Sequence, residues 1–145
     1  MAPDILSPLG LDDFFSQWYE QQPLHISRAD TDWFSTLVTL ADIETLLSTQ
    51  VLTFPDVQLA RANDPLPVAD YTGENHQISA MRLLQGHTQG GTIIISRAHR
   101  YFAPLAGLTR SVQGQLGMQC QANLYLTPPR AQGFKSHYDL SLIHI

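Results

Sequence analysis

Apolar and polar residues alternate along this chain at helical spacing in some stretches and with a period of two in others. LDDFFSQWYEQQ, from Leu11, sets Leu11, Phe14, Phe15 and Trp18 on one helical face; Pro23 stops that helix, and LHI begins an extended segment. ADTDWFSTL offers Asp30, Thr31 or Asp32 as the N-cap of a short helix. In TLADIETLLSTQ, Thr39 and Asp42 are spaced as a capping box ahead of a buried stripe of Ile43, Leu46 and Leu47. VQLARAN alternates as a half-buried strand does, and NDPLPVADYTGEN is turn-rich and predicted to be an exposed loop.

Further on, ISAMRLLQG reads as a helix closed by Gly86, and GGTIIIS as a buried, β-branched strand. HRYFAPLAGLTRSVQGQLG spaces Tyr101, Leu105, Leu108, Val112 and Leu116 about one turn apart, with Pro104 suited to the first turn. QANLYLT is a strand, PPRAQGF a turn-laden connector, and KSHYD the start of another strand. The pattern predicts an α+β chain, with helices first and strands accumulating toward the C-terminus. A sheet that has only begun where the chain stops leaves edges that complete domains usually manage.

Composition narrows the class. With 43% hydrophobic and 14% charged residues the chain can bury a core, and its net charge of −5 argues against direct nucleic-acid binding. The single cysteine, Cys120, forms no internal disulfide and fits a cytoplasmic location. MAPDILSPLG has no signal-peptide pattern, and no apolar run approaches the roughly 20 residues of a membrane span.

The candidate chemistry lies near the C-terminus. His137 and Asp139, two apart on a strand, would share a face and could take adjacent corners of a metal's coordination sphere. H-x-D alone is a weak signal. His25, His76, His87 and His99 have no helical pairing with one another and read as surface or hydrogen-bonded structural residues. Trp18, Trp33, Phe14 and Phe15 read as packing residues, Cys120 as a small buried side chain and Lys135 as a solvated rim lysine. GHTQGGT lacks the ending of a phosphate loop and reads as a turn before a strand.

The surroundings of His137 add a family. QANLYLTPPRAQGFKSHYD resembles the approach to the iron site of JmjC-type 2-oxoglutarate oxygenases, in the ribosomal-oxygenase-like branch of the cupin superfamily. The likeness extends upstream through FFSQWYEQQPLHISR and GGTIIIS, from about Leu11 to Asp139. It implies an incomplete cupin/JmjC double-stranded β-helix behind a helical front, with Fe(II) as metal and 2-oxoglutarate as co-substrate. Position by position it implies His137 and Asp139 as two iron ligands, and Asn123 and Tyr125 as residues lining the co-substrate pocket. It further implies hydroxylation of protein side chains, ribosomal proteins among them. The distal histidine and the basic partner of 2-oxoglutarate would lie beyond the His-x-Asp strand.

His144 stands at odd offsets from both His137 and Asp139 and is not expected to be the third ligand. LSLIHI does not continue the family pattern and is also a translation of a transposase end sequence used in DNA-library preparation. Residues 1–139 are therefore expected to be the truncated N-terminal part of one JmjC/cupin-like domain, and residues 140–145 a non-native tail. Such a chain would have negligible turnover, weak metal binding and poor solubility. Two rivals are a non-catalytic cupin-like module, binding or dimerising through its helical front, and a small metal domain built on His137, Asp139 and His144.

Overall fold

The computed structural model describes residues 4–137; Asp139, His144 and the tail at 140–145 lie outside the described residues. The elements run α1 (Leu11–Gln17), α2 (Leu40–Thr49), β1 (Val57–Ala60), α3 (Val68–Tyr71), α4 (Ala80–Thr88), β2 (Thr92–Ile95), α5 (Ala103–Leu116) and β3 (Leu124–Leu126). Helices and strands are thus interleaved, where the sequence suggested helices first. The three strands form an antiparallel sheet in the order β1-β2-β3. The chain is accordingly mixed α and β.

One face of that sheet makes the core. Val57 and Leu59 of β1 alternate inward, as do Ile93 and Ile95 of β2, and the three side chains of Val57, Ile93 and Ile95 are fully buried. Ile43, Leu46 and Leu47 of α2 and Leu83 of α4 complete the same cluster. The capping box begins α2 as predicted: the Asp42 amide donates to Thr39 Oγ1 (3.2 Å), and Asp42 Oδ2 accepts from the Thr39 amide (2.8 Å). The Thr39 hydroxyl also donates to Asp42 Oδ2 (2.7 Å), and this bond first, with the one from the Thr39 amide, holds the Asp42 carboxyl below its ordinary range. In α5, proline occupies the first turn and Gly117 closes the helix at φ 68, in the left-handed region that glycine tolerates.

Five local expectations are corrected. α1 forms but ends at Gln17, well before Pro23, and buries none of its residues; Phe14, Phe15 and Tyr19 pack edge-on against one another instead. Trp33 is not in the core cluster but lies under the Arg28 guanidinium, 5.0 Å from its ring centroid. Residues 31–37 are successive turns rather than a helix: Asp30 Oδ1 accepts the Asp32 amide, and i+3 bonds reach Asp32 and Phe34. The cap chemistry is there, but no apolar stripe is buried to propagate it.

The stretch 63–75 is not simply an exposed loop. It contains α3, whose Tyr71 is 2% exposed in the core, and burial pushes the Tyr71 phenol up, with a Leu59 backbone hydrogen bond partly offsetting it. Gly86 does not close α4, which continues to Thr88. A side chain there would meet Leu59 Cδ1 at 2.5 Å, so glycine permits close packing on β1. No helix among the described residues is long and apolar enough to cross a membrane.

Candidate functional site

The second face of the sheet carries the residues singled out from sequence. Because side chains alternate, Gln58, Ile94 and Tyr125 form one cross-strand row on the face opposite Leu59, Ile93 and Leu126. Asn123, just before β3, shares that face with Tyr125 two residues on. Thr92, also on this face, is fully buried, with Oγ1 3.0 Å from Thr127 Oγ1.

What covers Thr92 is the connector after β3. Pro128 and Pro129 end the strand, Arg130 turns at φ 61, and the chain recrosses the sheet until the Ala62 amide donates to the Gln132 carbonyl at 3.0 Å. Gly133 lies directly on Thr92: a Cβ there would stand 2.9 Å from Thr92 Cβ. This close approach brings Phe134 back over β3. Its ring sits edge-on to Tyr125 (centroids 5.6 Å apart) and tilted against the imidazole of His137 (5.5 Å). Tyr125 and His137, twelve residues apart in sequence, are therefore joined across one aromatic ring. Phe134 is the residue that reading the sequence missed; its signal was the glycine before it, which lets the connector touch the sheet.

His137 is exposed, and its Nδ1 lies 2.9 Å from the Lys135 carbonyl oxygen. With Nδ1 donating to that carbonyl, the ring's lone pair resides on Nε2, the arrangement seen where a second contact orients a metal-binding histidine. The chemistry of this residue suits a divalent cation. The described residues alone do not complete a site, since no three His, Cys, Asp or Glu side chains come together among them. Residues 135–137 are irregular rather than strand, so the pairing of His137 with Asp139 on one strand face is not visible up to His137. Lys135 is exposed, as expected of a rim residue.

Asn123 stands apart from the aromatic row. Its Oδ1 accepts the Arg97 backbone N–H at 2.9 Å, and the Arg97 guanidinium pairs with Asp56. Nothing in SRAHR pointed to this arrangement. The remaining histidines are structural where the structure gives them partners: His87 Nδ1 lies 2.8 Å from the Gly91 carbonyl, and His99 Nδ1 accepts the Ala122 amide at 3.2 Å. Cys120 is a free, half-buried thiol 3.5 Å from the Met118 carbonyl.

Exposed Asn123 and Tyr125 are thus followed by a Pro-Pro connector that brings Phe134 and the His137 imidazole back beside Tyr125. Comparison with known proteins shows a likeness to ribosomal oxygenases that holds over 93% of the chain. The chain is 31% identical over 139 residues to the bifunctional lysine-specific demethylase and histidyl-hydroxylase NO66 of Drosophila grimshawi, covering 18% of that protein. It is 27% identical over 139 residues to ribosomal oxygenase 2 of Mus musculus (30% of that protein), and 25% identical over 137 residues to ribosomal oxygenase 1 of Homo sapiens (21%). The chain thus spans less than a third of the length of these curated relatives. No protein-family model matches it.

Proposed function

We propose that this chain forms part of an Fe(II)- and 2-oxoglutarate-dependent oxygenase domain of the cupin type, acting on ribosomal protein side chains in the cytoplasm. The observation that carries the reading is the outer sheet face, where Tyr125 and His137 meet across Phe134. The names of the relatives supply the substrate class.

In this reading His137 and Asp139 hold the iron, and Asn123 and Tyr125 line the place of 2-oxoglutarate. Metal and co-substrate would supply the oxygen activation, while the protein fixes geometry. The chain's own residues do the fixing. The Lys135 carbonyl sets the tautomer and tilt of the His137 ring. Phe134 lies between that ring and Tyr125, edge-on to the phenol and tilted against the imidazole, and gives the site an aromatic wall. Tyr125, 54% exposed, presents a hydroxyl able to donate to a carboxylate.

The test is 2-oxoglutarate decarboxylation coupled to hydroxylation of ribosomal protein by the gene's product. His137→Ala is expected to lower both by at least about 100-fold, more than a contact behind the metal's ligands usually costs. Decarboxylation that persists undiminished in His137→Ala would remove this histidine from the site.

A further inference from the structure

Asp56 immediately precedes β1, Arg97 follows β2 by two residues, and Asn123 immediately precedes β3. In an antiparallel sheet of order β1-β2-β3, these three positions fall at one end. There they are joined in series. The Arg97 guanidinium pairs with Asp56, while the Arg97 backbone N–H donates to Asn123 Oδ1 at 2.9 Å. Backbone bonds flank the link on both sides, from the Ser96 amide to the Asp56 carbonyl (2.8 Å) and from the Ala98 amide to the Ala122 carbonyl (2.7 Å).

Arg97 has φ 52 and ψ 41, left-handed backbone that a long side chain rarely adopts. Such a conformation persists where its surroundings over-determine it. Here it aims the amide at Asn123 while the side chain reaches Asp56. Since a backbone N–H can only donate, the amide oxygen of Asn123 must face it, which settles the orientation of that side chain.

We infer that Asn123 is a positioning residue: with Arg97 and Asp56 it clamps one end of all three strands, and so sets where Tyr125 stands against Phe134 and His137. This rests on the functional reading above only for the importance of Tyr125 and His137; the clamp stands on its own geometry. It assigns Asn123 a duty carried by its oxygen, inward to Arg97. Direct recognition of an anionic co-substrate would instead use the amide's N–H groups.

The two duties respond oppositely to substitution. In Asn123→Asp the acceptor oxygen survives and the N–H donors are lost; in Asn123→Ala both go. The experiment uses the 145-residue chain, with amide hydrogen exchange at Arg97 and the ring-to-ring NOE between Tyr125 and Phe134 as readouts. Exchange at Arg97 is expected to quicken about fivefold in Asn123→Ala, the worth of one ordinary hydrogen bond. The Tyr125–Phe134 NOE should weaken with it, and Asn123→Asp should restore both. Unchanged exchange or an unchanged NOE in Asn123→Ala would overturn the proposal, as would an Asp variant indistinguishable from Ala. The turnover assay on the gene's product, given above, tests the oxygenase reading separately: absent turnover beside a 145-residue chain with a protected Arg97 amide leaves the clamp supported.

Discussion

Apolar side chains recur at helical spacing in α1 as they do in α2 and α4, yet only those of the two later helices are packed into the core. In α2, Ile43, Leu46 and Leu47 all face the sheet, and in α4 Leu83 is fully buried. In α1, Leu11 and Phe15 remain 39% and 37% exposed and no residue is buried. The two helices differ in what surrounds them. α2 begins with a reciprocal cap and lies on a sheet face that offers Val57, Ile93 and Ile95. α1 has no side-chain cap and only its own aromatic neighbours. Periodicity thus foretells a helix, but a partner surface decides whether its stripe contributes stability.

That contrast is open to attack by mutation. Leu83→Ala should cost about 2–5 kcal/mol, the range for emptying a buried leucine site. Leu11→Ala should stay within about 0.5 kcal/mol, as surface changes do. Urea denaturation of the two variants gives both values, and equal losses would erase the distinction. Next in size is Gly133→Ala, where the new methyl would press on the stiff, β-branched Thr92. It should cost about 1–3 kcal/mol. It should also separate Phe134 from Tyr125, seen as loss of the contact between their rings by NMR.

Thr39→Ala follows, at about 1 kcal/mol, since it removes the oxygen that caps α2. The smallest expected effects are those of pH. Asp42 is held below its ordinary range by Thr39, so its contribution is complete above the unfolded value near pH ~4 and is lost as pH falls through the lower folded value. Tyr71 gives the opposite limb: its phenol is raised by burial, so stability declines once pH rises above the unfolded value near ~10. Thermal melts across pH would show the acid limb reduced in Thr39→Ala and the alkaline limb absent in Tyr71→Phe.

The parts of the fold legible in the sequence are those fixed by neighbours along the chain. The Thr39–Asp42 box, the alternation of β1, the β-branched run of β2 and the proline-led start of α5 all belong to this kind. The misreadings came from letters with two meanings. Gly86 can stop a helix or let a strand approach it, and only the position of Leu59 decides which. Tyr71, in a run rich in turn residues, is buried because α3 packs on α4 and β1, and contacts with other elements leave no pattern in its own run.

The candidate site divides the same way. His137, Tyr125 and Asn123 were singled out from motif and resemblance. Phe134, which joins two of them, and the Arg97–Asp56 pair, which anchors the third, depend on how the connector and the strand ends meet in space. Contact across a sheet face is written in register and in one close-packed glycine, neither of which a motif records.

The most direct test of the account is the mass of ribosomal proteins from the source organism, with the native gene and with a His137→Ala allele. The account predicts that at least one ribosomal protein carries one added oxygen on a side chain in the first strain and lacks it in the second. Identical masses in the two strains would contradict it.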